Sequence, residues 1–176
     1  GRAIDVTKYE RRTSNKIIEE FMLVCNETVA EHYYWLNMPF VYRIHEDPDE
    51  EKMYEFSKFI HNLGYTLKGN EVHPRELQQL LNKIKNTKEE SLINNMMLRS
   101  LKKAIYSPDA SPHFGLAAQY YCHFTSPIRR YPDLQIHRII KDQLTGKYSE
   151  ADIQKLFERT AMVAEQSSKM ERIADE

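Results

Sequence analysis

The sequence predicts a mainly α-helical protein with about six helices and a few short strands. Long segments carry apolar residues three and four positions apart, which is the spacing of one helix face. Proline, glycine and polar capping residues separate these segments, and only short runs are β-branched or aromatic. The 176 residues are 41% hydrophobic and 29% charged, and these values are typical of one globular domain.

Charge and cysteine content narrow the possible functions. The formal net charge of −1 provides no global basic field, so a polyanion would have to bind a local basic patch. Cys25 and Cys122 show neither C-x-x-C nor zinc-site spacing, and we predict two buried, reduced thiols in a cytoplasmic protein. No apolar run reaches membrane-spanning length, so no membrane partner is expected. The candidate basic patch consists of Arg129, Arg130, Arg138, Lys141 and Lys147.

The first predicted helix is long, from a cap at Thr13 or Ser14 to about Leu36. Its broad apolar face is expected to be buried. Glu20 points away from this face, whereas Glu19 borders it and is expected to be held in place by neighbouring groups. The residues of the apolar face are Ile17, Ile18, Phe21, Met22, Cys25, Val29 and Tyr33, and the aromatic run Tyr33, Tyr34 and Trp35 is assigned to core packing.

Three further helices and two short strands are predicted before residue 112. Aromatic and β-branched composition favours strands at Phe40 to Ile44 and at Tyr65 to Leu67, the second followed by a Gly69-Asn70 turn. The acidic residues 46–51 lack the alternating oxygens and the glycine of a calcium loop, so we interpret them as a helix cap. The helices are predicted from Asp47-Pro48 to Leu63-Gly64, from Pro74 to about Ile84, and from Lys88 to Tyr106.

The last third of the chain is predicted to contain two helices. His113 to Phe124 lacks helical periodicity and is assigned as extended or loop. Ser126 is a favourable N-cap and Pro127 suits the first helical position, which predicts a fifth helix to about Leu144. Ser149 begins a sixth helix that reaches the end of the chain without a stop signal. This ending, together with a start at Gly1 rather than Met, leads us to expect a piece of a larger protein.

The segment HFTSPIRRYPDL, residues 123–134, carries the strongest functional pattern. Arg129 and Arg130 are placed by this prediction in the first helical turn, beside unpaired amides and the positive end of the helix dipole. Such a site favours an anion. Alternatively, Asp133 forms an ordinary helix salt bridge with one of the arginines. The nearby aromatic residues add stacking surfaces, and phosphate together with bases points to nucleic acid. These are Tyr120, Tyr121, Phe124 and Tyr131.

With its following His137 and Arg138, this segment resembles the ribonuclease II/ribonuclease R exoribonucleases, and ribonuclease R is the nearer branch. The resemblance extends in order and spacing over PHFGLA (112–117), NNMMLRSLKKAIY (94–106), VYRIHEDP (41–48) and IIEEFMLVCNETVAEH (17–32). It implies a fragment of an α+β catalytic domain, namely its C-terminal helix-rich portion, spanning residues 1–176 as a single unit. That family hydrolyses single-stranded RNA processively from the 3′ end to nucleoside 5′-monophosphates, with magnesium.

The resemblance also implies roles for individual residues. Arg129 would contact the scissile phosphate, and one of Glu19 and Glu20, for which helical phase favours Glu19, would lie near the terminal ribose. The family's aspartate cluster, which holds Mg²⁺, and its OB-type RNA-binding domains have no counterpart in this sequence. No metal ligand is therefore predicted within it. The residues predicted to bind RNA are Arg130, Tyr131, Ser126, His123 and Arg138.

Two other functions remain open at this point. One is a non-catalytic RNA-binding module, and the other is a helical protein-interaction domain whose arginines serve only structure. The fragment is expected to be inactive alone and to self-associate through core surface that the rest of its domain would cover.

Overall fold

The computed structural model describes residues 4–7, 10–67 and 72–176. Within these ranges the fold is mainly helical with a small antiparallel sheet, which confirms the predicted class. No helix in the described ranges is both long and apolar enough to cross a bilayer. The helices are α1 (Thr13–Trp35), α2 (Glu50–Asn62), α3 (Pro74–Ile84), α4 (Glu90–Ser100), α5 (Tyr131–Leu144) and α6 (Glu150–Asp175); the strands are β1 (Tyr42–Ile44) and β2 (Ile105–Ser107), and a short 3-10 helix covers Phe114–Leu116.

Local capping chemistry placed several helices correctly. Asp49 accepts hydrogen bonds from the amides of Glu51 and Lys52 at 3.1 and 3.2 Å, so the acidic segment is a cap, as predicted. Helix α2 begins after this cap rather than at Asp47-Pro48. Pro74 opens α3, and the Ser149 side chain accepts from the Asp152 amide at the start of α6. These helix starts depend on neighbouring residues alone, which is why the sequence predicts them.

The predicted helix from Lys88 to Tyr106 is confirmed as α4, but its predicted end was wrong. Helix α4 ends at Ser100, and residues 105–107 instead form β2. This strand pairs antiparallel with β1, in the register Tyr42↔Ser107, Arg43↔Tyr106 and Ile44↔Ile105, and α6 packs against it. The pairing partner lies about sixty residues upstream, so local periodicity cannot reveal the strand. The structure shows no strand at Tyr65 to Leu67, and the Gly69-Asn70 turn lies outside the described residues.

Two hydrophobic clusters organise the described residues. The first joins the C-terminal half of α1, the sheet, α5 and α6, with Phe40, Cys122, Ile136 and Ile139 fully buried. The second joins α2, α3 and α4 around Phe56, Ile60, Ile84 and Ile93. Phe114, the first residue of the 3-10 helix, packs in the second cluster, while neighbouring residues of its segment pack in the first.

Helix α1 differs from its prediction at the N-terminal half. Arg12, not Thr13 or Ser14, is the N-cap residue, and its amide donates to Asn15 Oδ1 at 3.0 Å. The apolar residues Ile17, Ile18 and Phe21 are 49, 58 and 64% exposed, so their predicted burial was wrong for the described residues. Cys25 is likewise exposed, whereas Cys122 is buried as predicted, and both thiols are free. Of the predicted apolar face, only the C-terminal part, with Val29 and Tyr33, packs in a hydrophobic cluster within the described residues.

Candidate nucleic-acid interface

The segment before α5 is a turn rather than the first turn of a helix. Helix α5 begins at Tyr131, and Arg130 is its N-cap residue, so the prediction of a helix capped by Ser126 was wrong. In a helix from Pro127, residue 132 would have to donate an amide hydrogen to the carbonyl of Ile128. Pro132 has no such hydrogen and its ring would clash there. The chain instead turns at Ser126, whose carbonyl accepts from the amides of Arg129 and Arg130 at 3.3 and 3.2 Å.

A buried carboxylate anchors this turn. Asp133 is fully buried, and its Oδ1 accepts from the Ser126 amide at 2.7 Å and from Arg130 Nη2 at 2.7 Å. The predicted salt bridge of Asp133 therefore forms with Arg130. Arg129 remains exposed, and its Nε donates to Ser126 Oγ at 3.2 Å. The turn thus presents one guanidinium outward and holds the other inside.

Arg130, predicted to bind RNA, is only 18% exposed at its side chain. Its Nε and Asp133 Oδ2 are buried and have no hydrogen-bond partner within the described residues. A buried ion pair is costly to form and more costly to break at one side. The geometry therefore favours a structural role for Arg130 over contact with RNA, and the RNA contact stays a prediction.

A second polar network reaches the same region from the sheet. Arg43 on β1 makes two hydrogen bonds to the Glu171 carboxylate of α6, at 2.7 and 3.2 Å. Its guanidinium also lies 4.5 Å from the centre of the Tyr106 ring. The Tyr106 hydroxyl is 2.9 Å from His123 Nδ1. Arg43, Tyr106 and Glu171 were not singled out from the sequence, since their partners lie far apart along the chain.

His123, also predicted to bind RNA, is held neutral in this network. Burial, followed by the positive charges of Arg130 and Arg43, lowers the pKa of His123 to about 3. A neutral ring cannot act as a cation for phosphate, so any contact with RNA would be a hydrogen bond. Its neighbour in the fold, His113, is also neutral, because burial and His45 lower the pKa of His113 to about 4.

Asn26 connects helix α1 to this segment. Its Oδ1 accepts from the amides of Phe124 and Thr125 at 3.0 and 3.2 Å. Its Nδ2 donates to the Tyr121 hydroxyl at 3.0 Å. A polar residue on the apolar side of a predicted helix was the available signal for this role, because buried amides are hydrogen-bonded. Glu19 precedes Asn26 by seven residues, or two turns, so both lie on the same face of α1.

The two candidate glutamates differ in environment. Glu19 is half-buried and pairs with Arg11, as expected for a carboxylate held by a neighbour. Glu20 is exposed. The helical phase that favours Glu19 therefore agrees with the structure, while its proposed role near ribose stays a prediction.

Exposed aromatic and basic groups lie on α5 and at the end of α1. Tyr131 is 49% exposed at the start of α5, and Arg138 is exposed two turns later on the same face. The aromatic run at the end of α1 is only partly core: Tyr33 is buried, but Trp35 is 70% exposed. Tyr34 stacks on Tyr120 with ring centres 4.3 Å apart. Core packing was thus the wrong assignment for Trp35 in the described structure.

The described residues do not form a metal site. No three histidine, cysteine, aspartate or glutamate side chains within residues 4–7, 10–67 and 72–176 are placed to hold an ion together. Asp133 is occupied by Arg130 and the Ser126 amide. The donor groups present therefore fit a phosphate contact and not the Mg²⁺ that the resemblance implies.

Comparison with known proteins places this geometry in a family. Residues 1–146 match the family model described as RNB domain. Ribonuclease R of Thermotoga maritima is 41% identical over 179 residues, covering 100% of this chain and 25% of that protein. The chain thus spans about a quarter of the length of the curated relatives it matches.

Solved structures show the same fold. Mycoplasma genitalium RNase R in complex with ribose methylated single-stranded RNA is similar with a TM-score of 0.85 at 28% identity, over 93% of this chain and 26% of that one. Yeast Ssd1, described as a pseudonuclease, is similar with a TM-score of 0.74 at 29% identity, over 91% of this chain and 20% of that one. The same architecture therefore occurs in a ribonuclease and in a pseudonuclease.

Proposed function

The chain belongs to the RNB-domain family, and on that premise we propose that it is part of a processive 3′→5′ exoribonuclease of the ribonuclease R type. Its substrate would be single-stranded RNA, hydrolysed to nucleoside 5′-monophosphates. The chain would form the C-terminal, helix-rich portion of the catalytic domain. The order of the motifs supports this placement, because in the family the IIEEFM and TSPIRRY motifs follow the aspartate cluster.

The exposed guanidinium of Arg129 carries the proposal. It stands on a turn anchored by the fully buried Asp133, so its position is fixed while its donors stay open to a ligand. A fixed cation beside a scissile phosphate stabilises the negative charge that develops in the transition state. Its planar fork suits two phosphate oxygens at once. We assign this role to Arg129, and a role near the terminal ribose to Glu19 or Glu20.

The remaining parts of the reaction would be supplied by the longer protein. We propose that an aspartate cluster there binds Mg²⁺ and that OB-type domains there hold the RNA chain. Both thiols of this chain are free, which supports a cytoplasmic location. The exposed apolar half of α1 would be covered in the longer protein and would cause the isolated chain to self-associate.

A non-catalytic RNA-binding module is the second candidate. The similarity to yeast Ssd1, described as a pseudonuclease, favours it, because that protein shares the fold. In this case Arg129 would bind phosphate with no reaction to follow.

One experiment separates these functions. The longer protein and the isolated 176-residue chain are incubated with labelled single-stranded RNA in the presence of magnesium, and released nucleotides are identified. We expect 5′-monophosphates from the longer protein and none from the isolated chain. RNA binding without any release by the longer protein would favour the non-catalytic module. Release by the isolated chain that is lost in Arg129→Ala would show that it contains a complete site.

A further inference from the structure

We propose that Asp133 and Ser126 are positioning residues for Arg129, acting through two consecutive hydrogen bonds. This inference rests on the proposed function, in which Arg129 contacts the scissile phosphate during RNA hydrolysis. It names the two residues that hold Arg129 in place for that contact. Asp133 does not contact RNA in this arrangement. It holds Ser126, and Ser126 holds Arg129.

The first contact fixes the backbone of the turn. Asp133 Oδ1 accepts from the Ser126 amide at 2.7 Å, and such a short distance is typical of a charged acceptor. The carboxylate is fully buried and lies in the first turn of α5, so it cannot move without the helix. The start of the turn is therefore tied to a rigid element.

The second contact fixes the reactive side chain. Arg129 Nε donates to Ser126 Oγ at 3.2 Å, which restrains the torsions between the backbone and the guanidinium. The Ser126 carbonyl also accepts from the Arg129 amide at 3.3 Å. With Nε engaged, the terminal nitrogens of the fork remain available for phosphate. A long side chain at an exposed position would otherwise lose considerable rotamer freedom on binding.

Arg130 completes the arrangement as a counterion. Its Nη2 lies 2.7 Å from the same Asp133 Oδ1, and its side chain is 18% exposed. It neutralises the buried carboxylate and so allows Asp133 to sit beneath the turn. The two adjacent arginines thus have different roles. Arg129 contacts the phosphate, and Arg130 pairs with the carboxylate that fixes the turn.

The test is a double-mutant cycle in the longer protein. Asp133→Asn, Arg129→Ala and the double variant are compared in single-turnover cleavage of labelled single-stranded RNA and in RNA affinity. Asp133→Asn keeps an oxygen that can accept from the Ser126 amide, but it removes the negative charge that pairs with Arg130 and weakens both hydrogen bonds. The turn should then shift, and cleavage should slow by about 10- to 100-fold, as expected for a displaced catalytic group. Its RNA Kd should stay within about threefold of the unsubstituted value, because many other contacts hold the chain. In the Arg129→Ala background, Asp133→Asn should have little further effect on cleavage.

Control variants separate positioning from general stability. Asp142→Asn makes the same change on the same helix, at a carboxylate that pairs with Lys147 at 3.1 Å, and should leave cleavage unchanged. Ser126→Ala removes only the hydroxyl that accepts from Arg129. It should slow cleavage without weakening RNA binding, and its effect should also vanish in the Arg129→Ala background. If Asp133→Asn does not fold, Ser126→Ala decides the question.

The outcomes distinguish this inference from the function beneath it. An inactive unsubstituted protein, or full turnover by Arg129→Ala, would overturn the proposed function and the inference with it. A different result is that cleavage depends on Arg129 while the rate losses of Asp133→Asn and Arg129→Ala simply add in the double variant. That result would overturn only the positioning role of Asp133 and Ser126. Normal cleavage by folded Asp133→Asn and Ser126→Ala would do the same.

Discussion

Two adjacent arginines meet opposite environments at the turn before α5. Arg129 is exposed, while Arg130 is paired with a carboxylate that solvent does not reach. Removing one partner of such a buried pair typically costs about 3–5 kcal/mol, because the other charge is left uncompensated. Loss of function in Arg130→Ala would therefore report on folding as much as on RNA. Because Arg129 is exposed and lies outside this ion pair, the effect of its substitution on cleavage reports on function and not on folding.

We expect Arg129→Ala in the longer protein to lower single-turnover cleavage by about 10²–10³-fold, the usual loss when one transition-state donor is removed. RNA affinity should fall much less, since the phosphate contact is one of many. Arg129→Lys should restore activity only in part, because an ammonium group cannot reproduce the planar fork. Arg99→Ala, at an exposed arginine of α4, is the matched control and should retain activity. A cleavage rate close to wild type for Arg129→Ala would show that Arg129 does not stabilise the transition state at the scissile phosphate.

Alanine substitutions can also show which of the adjacent glutamates, Glu19 or Glu20, contributes to cleavage. Glu19 shares a face of α1 with Asn26, which touches the segment leading to the turn, whereas Glu20 is rotated away by about 100°. Glu19→Ala should therefore slow cleavage more than Glu20→Ala. The two substitutions remove the same group from neighbouring positions, so each serves as the control for the other. An equal loss, or a larger loss for Glu20→Ala, would assign the ribose contact to Glu20.

The elements show which structural features a sequence can reveal. Asp49, Pro74 and Ser149 mark helix starts through local hydrogen bonding and fixed backbone geometry, and their helices were predicted within a few residues. The start of α5 was misplaced because Ser126 and Pro127 form a favourable cap pair, while Pro132 prevents the helix that they would begin. Strand β2 was missed because its partner β1 is remote. Capping residues and prolines therefore predict where helices begin, whereas strand pairing between distant segments cannot be predicted from local sequence.

At the candidate site, the environments of single residues were predicted better than the contacts between distant ones. The pairing of Asp133 with an arginine and the lower exposure of Glu19 relative to Glu20 are confirmed, while the role of Arg129 stays a prediction. The sequence could not reveal that Asn26 accepts two amides of the segment 124–125, or that Arg43 and Tyr106 lie beside His123. Those contacts join residues that are tens of positions apart. They depend on the packing of α1, the sheet and α6 around the segment, which periodicity does not encode.

The segment between β2 and α5 should make stability depend on pH. His113 and His123 have folded-state pKa values of about 4 and about 3, below the ordinary 6.5, so they stay neutral while the unfolded chain takes up protons. Their contribution to stability is fully present above pH 6.5 and is lost as the pH falls from 6.5 towards these values. The slope in the middle of this range is about 1.4 kcal/mol per pH unit for each histidine.

This dependence can be measured by urea unfolding of the 176-residue chain at several pH values between about 7 and 5, the range in which an ordinary histidine titrates. The free energy of unfolding should fall as the pH is lowered. His123→Gln should flatten the curve, because it removes one titrating group and keeps a polar side chain. His61→Gln, at an exposed histidine of α2, should leave the slope unchanged. A stability that is constant across this range would contradict the prediction.

At the scale of the whole molecule, the N-terminal half of α1 exposes a row of apolar side chains within the described residues. Ile17, Ile18, Phe21 and Val24 are each about half exposed or more, on a helix whose other half is packed in the first hydrophobic cluster. Scattered exposed apolar residues are normal, but a contiguous face marks an interaction surface. In the longer protein, further parts of the catalytic domain would cover this face. In the isolated chain, a second copy is the available partner.

We therefore expect the isolated chain to associate reversibly with itself, and Phe21→Glu to weaken that association. Burying a phenylalanine side chain contributes about 1.5–3 kcal/mol, so its loss should raise the dissociation constant by at least about tenfold. Leu98→Glu is the matched control, because Leu98 on α4 is 65% exposed and Phe21 is 64% exposed, and it should not change the association. Sedimentation velocity over a concentration series measures both variants, and thermal unfolding at low concentration verifies that each is folded. A chain that stays monomeric throughout the series, or equal weakening by the two substitutions, would show that α1 is not the contact surface.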